Sequence, residues 1–177
     1  MVTDRRGAAM WYVVQVRTGT EEKMKSQCLK TIDNQVLEQC FVPYYEEKKK
    51  YQGTWHTEKR VLFPGYVFMI SERLADLYKG LRKVIGMTKL LGTGEEIVPL
   101  TKEEVDFLKK MGAGEKAVEV SIGMIENGTV VIIDGPLAGM EGCIRKIDRH
   151  KRKAWLQVNM FGRTTQMEAG LEIIRKT

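Results

Sequence analysis

The segment "IRKIDRHKRKAW" at residues 144–155 holds the side chains of this sequence that are best suited to chemistry. From Arg145 to Lys153 it contains six lysine or arginine residues, one histidine and a single acid, Asp148. Neighbouring surface cations repel one another by about 0.5–1 kcal/mol for each close pair. A row of phosphates removes that repulsion and releases counterions. The pattern therefore favours nucleic-acid binding over the alternative, a solvated hairpin loop.

The cations at the centre of this segment suit two kinds of nucleic-acid contact. We expect Arg149, His150 and Arg152 to stack on or hydrogen-bond to bases in an RNA loop or bulge, because an A-form duplex hides its major-groove edges. Lys151 and Lys153 are better suited to phosphates. RNA is therefore favoured over DNA as the ligand.

Three other candidate cations lie in the predicted strands on either side of the turn. Arg145 and Lys146 are neighbours in a strand, where successive side chains point to opposite faces. We therefore expect only one of them to share a surface with the turn, and we favour Lys146. Arg163, across the sheet, is a weaker candidate for RNA contact.

Catalytic and metal-binding chemistry has little support. The two histidines and three serines show no G-x-S-x-G motif. The segment "LLGTGEE" lacks the further residues of a dinucleotide or P-loop fingerprint and suits a turn. The three cysteines are far apart, which indicates buried thiols in a reducing cytosol rather than a zinc site or disulfides. We expect no enzyme activity, no metal and no cofactor.

The composition is typical of a globular protein, with 43% hydrophobic and 29% charged residues and a net charge of +6. No apolar run approaches the length of a transmembrane helix. The opening "MVTDRRGAAM" lacks an apolar core for a secretory signal. We expect a loose leader over residues 1–9 and a cytoplasmic monomer.

Residues 10–111 show a mixture of strand and helix patterns. The predicted elements are a strand over 10–16, a helix over about 19–34, a hairpin turning near Gln52-Gly53, a buried return strand over 65–70, and two helices beginning after Ser71 and Thr101. Two capping boxes, Thr18 with Glu21 and Thr101 with Glu104, open the first and third helices. This segment is predicted to be an α+β domain.

The remaining residues show only short strand patterns. Residues 112–122 are glycine-rich and predict a linker. Residues 123–177 contain short apolar runs separated by turns at Asp134-Gly135, 149–153 and Gly162, which is typical of a small antiparallel barrel. The predicted second domain is therefore all-β.

Two large aromatic residues, Phe63 and Tyr66, flank Pro64-Gly65 in "RVLFPGYVFM". They could be core residues of the strand that follows. They could instead form an exposed patch that receives a helix of a partner protein. Spacing alone leaves both interpretations open.

The motifs "WYVVQVRTGTEEK", "FVP…LFPGYVF" and "VIGMTKLLG…IVPLTKEEVDFL" resemble the amino-terminal domain of NusG-type transcription elongation factors. The segment "VVIIDGPLAGMEGCIRKIDRHKRKAWLQVNMFGRTTQME…LEII" is similar to the KOW domain of that family. The resemblance covers Met10 to Lys176. It implies an antiparallel sheet with flanking helices, followed by a small SH3-like KOW barrel. The basic turn is more similar to the LoaP group of specialised antiterminators than to general NusG.

The resemblance implies that the first domain binds the β′ clamp helices of bacterial RNA polymerase through a hydrophobic face and suppresses pausing. That face would comprise Phe63, Pro64 and Tyr66, with Trp11, Phe68 and Phe107 as weaker candidates. A gate-loop contact known in one paralog is not carried over, because Leu77, Tyr78 and Lys79 stand in that neighbourhood.

The resemblance implies two possible roles for the second domain. In general NusG the KOW domain recruits a ribosomal small-subunit protein or the termination factor Rho, and Phe161 stands where that family uses a docking aromatic. LoaP-like proteins are instead expected to bind a hairpin in a nascent RNA leader and promote terminator readthrough. A third hypothesis, a DNA-binding protein without polymerase contact, requires Phe63 and Tyr66 to be buried.

Overall fold

The computed structural model describes residues 9–84, 89–90, 92–93, 96–97, 99–112, 114 and 116–177. The predicted leader, apart from residue 9, and residues 91, 94 and 95 of the "LLGTGEE" segment lie outside these residues. The strands are β1 Met10–Gln15, β2 Gln39–Phe41, β3 Tyr44–Tyr51, β4 Thr54–Val61, β5 Tyr66–Ser71, β6 Lys89–Leu90, β7 Gly92–Thr93, β8 Glu96–Ile97, β9 Ser121–Glu126, β10 Thr129–Asp134, β11 Ile144–Asp148, β12 Lys153–Met160 and β13 Arg163–Lys176. The helices are α1 Glu21–Thr31, α2 Leu74–Leu81 and α3 Lys102–Lys110, with a 3-10 turn at Glu141–Cys143.

The chain divides into two compact units. One contains the residues up to Val42 together with Pro64–Val105, and the other contains Pro43–Phe63 together with Asp106–Thr177. The β3–β4 hairpin thus belongs to the same unit as the C-terminal strands, whereas the sequence suggested the first domain for it. The predicted domain limits of 10–111 and 123–177 stay a prediction. Within the described residues, no helix has the length and apolarity needed to span a bilayer.

The first unit is built on an antiparallel sheet with the strand order β2-β5-β1-β6. All six residues of β5 are buried, because strands lie on both of its edges and α1 packs against it. Met24, Cys28 and Ile32 are buried, which confirms the predicted inner stripe of the first helix.

The capping predictions had different outcomes. The box formed by Thr101 and Glu104 is confirmed, because the Thr101 amide donates to the Glu104 carboxylate at 3.0 Å and the Glu104 amide donates to Thr101 Oγ1 at 3.2 Å. The box with Thr18 is wrong, since α1 begins after Thr20. The buried Glu21 carboxylate instead accepts the amides of Gly19 at 3.0 Å and Gly65 at 2.9 Å, which ties the helix to the Pro64-Gly65 turn.

The second unit contains a five-stranded sheet with the order β10-β9-β13-β12-β11. Neighbouring strands are antiparallel except for β9 and β13, which are parallel. In β12 the alternate residues Ala154, Leu156, Val158 and Met160 are buried, so the intervening side chains lie on the outer face. Two sequence expectations are corrected: β9 begins inside the predicted linker, and β13 is one 14-residue strand where the sequence predicted only short strands.

The β3–β4 hairpin turns at Gln52-Gly53 as predicted, with φ of 48° and 79° at these residues. Backbone hydrogen bonds join β3 to Val118: the Glu46 amide donates to Val118 O and the Val118 amide donates to Tyr44 O, both at 2.8 Å. These bonds hold the hairpin beside the C-terminal strands of the same unit.

Candidate nucleic-acid interface

The basic turn joins β11 to β12 and presents three consecutive exposed basic side chains, Arg149, His150 and Lys151. The Lys151 amide donates to Asp148 Oδ1 at 2.9 Å, and this bond closes the turn. The same bond lowers the pKa of the Asp148 carboxyl below its ordinary value. The one acid of the segment therefore shapes the turn, and the three side chains project from it into solvent.

Arg152 and Lys153, which were predicted to contact RNA, are held by other residues of their own unit. The Arg152 guanidinium lies 3.9 Å from the centroid of the Trp55 ring and 3.8 Å from the Glu172 carboxylate. Lys153 pairs with Glu47 and with Glu168, the latter at 3.2 Å, and its side chain is 12% exposed. In this structure both cations are therefore engaged in contacts within the protein.

The groups around Lys153 form one electrostatic cluster. Burial works to lower the pKa of Lys153, but hydrogen bonds to Glu47 and Glu168 outweigh it and raise that pKa. Burial likewise works to raise the pKa of both carboxyls. At Glu47 the hydrogen bonds from Lys153 and Arg60 outweigh burial, and at Glu168 those from Tyr45 and Lys153 outweigh it. The pKa values of both carboxyls are therefore lowered.

Arg145 and Lys146 lie at the same concave site on the outer face, which corrects the expectation that they point to opposite faces. Ile144 pairs with Leu156 and Lys146 pairs with Trp155, so two steps along β11 match one step along β12. Arg145 is the extra residue of this β-bulge, and a bulge interrupts the alternation of side chains. The two cations line a cavity of about 310 Å³ together with Trp155, Gln157 and Gln166.

The other two predicted contact residues of this unit flank the β12–β13 turn. Arg163 is exposed at the start of β13. Phe161 has a φ of 60° and is half-buried, and its ring lies edge-on to that of Phe63 with 5.5 Å between the centroids.

The predicted hydrophobic face is largely buried. Phe63 is 2% and Tyr66 is 7% exposed, and Phe68 is fully buried in the centre of its sheet. The sequence left a core and an exposed interpretation open for Phe63 and Tyr66, and their burial fits the core interpretation. Pro64 is exposed, and Trp11 and Phe107 are half-buried. The condition set for a DNA-binding protein without polymerase contact is thus met.

Sequence reasoning missed the aromatic and amide members of the outer face. Alternation in "KAWLQVNM" places Trp155 and Gln157 on the face opposite the buried residues. The sequence pattern alone could therefore have indicated these two members of the outer face. Gln166 lies directly across from Gln157 in the neighbouring strand. Trp55 and Glu47 come from a distant hairpin, and no local pattern indicates their pairing with the basic segment.

Comparison with known proteins identifies the class. A family described as "Transcription termination factor nusG" matches residues 9–109. The "Transcription termination/antitermination protein NusG" of Bacillus subtilis (strain 168) is 34% identical over 89% of this chain and 93% of its own length. The protein of that name from Staphylococcus aureus (strain Mu50) is 33% identical over 99% of this chain and 100% of its own.

A solved structure supports the same conclusion. The structure titled "Domain interaction in Thermotoga maritima NusG" has a TM-score of 0.61 and 25% identity, and the match covers 92% of this chain and 94% of that one. The molecule is thus a transcription factor with a mixed α/β, NusG-like fold. The chain belongs to the NusG family of transcription termination/antitermination factors, which are in general not enzymes.

Proposed function

We propose that this protein is a LoaP-type antitermination factor, which binds RNA polymerase through its amino-terminal domain and a hairpin of the nascent RNA through a basic KOW domain. The observation that carries the proposal is the projection of Arg149, His150 and Lys151 from the turn between β11 and β12. Two exposed cations, Arg149 and Lys151, with an exposed histidine between them concentrate positive charge on this turn, which suits a phosphate backbone. An RNA held in this way would keep the factor at the polymerase as a terminator is transcribed, and so promote readthrough.

The five-stranded sheet, in which the long strand β13 pairs with β12 through its first half and with β9 through its second half, is consistent with the KOW barrel of this proposal. The polymerase contact would use the face around Phe63, Pro64 and Tyr66. Phe161 covers one side of the Phe63 ring in this structure. Polymerase binding through Phe63 therefore requires the contact between the two rings to open.

Replacing both Arg149 and Lys151 with alanine tests the RNA contact. We expect the affinity for a target-leader RNA hairpin to fall by about tenfold or more at low salt, because two phosphate contacts are lost. The slope of log affinity against log salt should become shallower by about 0.7–0.9 for each contact removed. Fluorescence anisotropy across a salt series measures both quantities, and binding to RNA polymerase should be unchanged.

The matched control replaces Lys23 and Lys30 with alanine. Both are exposed on α1, and the variant has the same net charge as the turn variant. An equal loss of RNA affinity in the two variants would show that net charge, rather than the basic turn, attracts RNA. Unchanged affinity in the turn variant would refute the RNA-binding assignment.

The alternative is a general NusG factor, whose KOW domain docks on a ribosomal small-subunit protein or on Rho. The half-buried ring of Phe161 on a turn is the observation that favours it. In that case Phe161→Ala should weaken binding of the isolated ribosomal protein or Rho by about tenfold, because an aromatic anchor is removed from the interface. The Arg149 and Lys151 variant should have little effect in that assay. A pull-down titration of the full chain with each partner distinguishes the two functions.

A further inference from the structure

The cavity lined by Arg145, Lys146, Trp155, Gln157 and Gln166 lies on the strands that the basic turn connects. We propose that this cavity, the outer-face pocket, binds one unpaired nucleotide of the RNA, with its base stacked on Trp155. The inference rests on the proposed RNA-binding function and deepens it. It assigns the recognition of a bulged or looped nucleotide to the strand surface next to the exposed cations of the turn.

Trp155 has the properties of a stacking platform. It lies on the outer face of β12 and is half-buried, and its indole N–H donates to Glu168 Oε1 at 3.0 Å. That bond fixes the orientation of the ring. Bases of any sequence stack on such a fixed aromatic face, which is how proteins commonly hold single-stranded RNA.

Lys146 and Arg145 supply positive charge to the pocket. Lys146 is paired with Trp155 across the strands, and its Nζ lies 4.9 Å from the ring centroid. An exposed ammonium gains little from an indole ring, so a base can take its place over the ring. The ammonium is then within reach of the phosphate of the same nucleotide.

The amide of Gln157 has a defined orientation. Arg145 Nε donates to Gln157 Oε1 at 3.1 Å, and Arg145 Nη1 donates to the Gly142 carbonyl at 2.6 Å. A guanidinium can only donate, so the oxygen of the amide must face it, and the NH₂ group of Gln157 is left to donate elsewhere. Gln166 lies directly opposite Gln157 in the register of β12 and β13 and adds a second amide. The pocket thus combines a stacking surface, cations and amides able to hydrogen-bond to a base edge.

The pocket is also continuous with the basic turn. Lys146 precedes Arg149 by three residues along the same strand and turn, a path of about 10 Å in extended chain. One RNA strand can therefore place its phosphates on the turn and insert a neighbouring unpaired base into the pocket. A fully paired helix cannot deliver a base to it without opening a pair.

The test compares two RNA probes on the full chain. One is a fully paired hairpin, and the other is the same hairpin with a single bulged nucleotide, made with each of the four bases. We expect the bulged hairpins to bind about tenfold more tightly, since stacking of one base on an aromatic side chain has an effect of this order. Trp155→Leu and Arg145→Ala should each reduce this preference to about twofold or less, while affinity for the paired hairpin stays within about twofold.

The control is Asn159→Ala, which changes the next exposed outer-face residue of β12, outside the pocket. It should retain the full preference for the bulged probes. Arg145 is exposed, so its variant remains informative if Trp155→Leu proves to be unfolded by circular dichroism. A preference unchanged in Arg145→Ala and in any folded Trp155→Leu would overturn the pocket, as would a wild type that binds both probes equally.

The outcomes separate this inference from the proposed function. If the paired hairpin binds and requires Arg149 and Lys151, but the preference for bulged probes is absent, the proposed function stands and the pocket is refuted. If the wild type binds neither probe, both are refuted. Binding of free nucleoside monophosphates at the same concentrations as the bulged hairpin would also refute the inference, because it would indicate a site for free nucleotides.

Discussion

Replacing Lys153 with methionine is expected to lower the free energy of unfolding by about 2–3 kcal/mol at neutral pH. The side chains of Lys153 and Glu47 are each 12% exposed, so the variant leaves the Glu47 carboxylate largely buried beside Glu168 without the shared cation. Removing one partner from a fully buried pair costs about 3–5 kcal/mol. The expected loss is smaller here because Glu168 is 40% exposed and Arg60 still pairs with Glu47. Urea unfolding followed by tryptophan fluorescence measures the difference.

The same cluster predicts how this loss depends on pH. The pKa values of Glu47 and Glu168 are lowered by folding, so their contribution is present above the unfolded value of about 4.3 and is lost as pH falls through the folded values. The pKa of Lys153 is raised, so its contribution is present below about 10.4 and is lost only as pH rises above that value. In Lys153→Met the uncompensated carboxyls protonate more readily. The stability difference between wild type and variant should therefore shrink below about pH 5.

Lys151→Met provides the matched control, because it makes the same substitution on an exposed residue of the turn that precedes Lys153. Its effect on stability should stay within about 0.5 kcal/mol. In an RNA-binding assay we expect the opposite order of effects. Lys151→Met should weaken the complex, whereas Lys153→Met, measured under conditions in which it is folded, should not. Equal stability of the two variants would show that the Lys153 cluster contributes nothing, and weaker RNA binding by Lys153→Met would restore that residue to the RNA contact.

Local patterns predicted the elements well where a short-range cause acts. The Thr101 capping box, the Gln52-Gly53 turn and the buried stripe of α1 depend on residues within a few positions of one another. The Thr18 box failed because Glu21 bonds to Gly65, a partner more than forty residues away. Such tertiary contacts override a local motif, and the spacing of residues within the motif does not indicate them.

The candidate site likewise combines features that the sequence predicted with features that depend on distant residues. The cluster of cations was evident from composition, and the turn that exposes Arg149, His150 and Lys151 was predicted correctly. The sequence could not separate these residues from Arg152 and Lys153, because Trp55 and Glu47 are brought to them by the β3–β4 hairpin. Nor could it indicate the bulge at Arg145, since strand register depends on the partner strand. One basic segment thus contains two kinds of cation, some exposed to solvent and some engaged in contacts within the fold.

Gly135→Ala is expected to lower the free energy of unfolding by about 3 kcal/mol. Gly135 has a φ of 108°, a conformation that costs an alanine about 1 kcal/mol or more. A Cβ at this position would also lie 2.6 Å from Ser121 Oγ and 2.7 Å from Ser121 Cα, so the backbone of one strand must move. Ser121 is fully buried, and its Oγ accepts the Leu137 amide at 3.0 Å, so that displacement also strains a buried hydrogen bond.

Gly128→Ala separates the two causes of this loss. Gly128 has a φ of 78°, and no atom lies within 4 Å of the Cβ position, so its variant carries the conformational cost without the clash. We expect it to lose about 1 kcal/mol, which leaves about 2 kcal/mol of the Gly135 effect to the contact with Ser121. Urea midpoints of both variants supply the comparison. Equal losses would mean that the turn after β10 relaxes freely, whereas a larger loss at Gly135 means that this turn is fixed against β9. A fixed turn is what the proposed RNA site needs, because the chain runs from it through the 3-10 turn at Glu141–Cys143 into the bulged strand that carries Arg145 and Lys146.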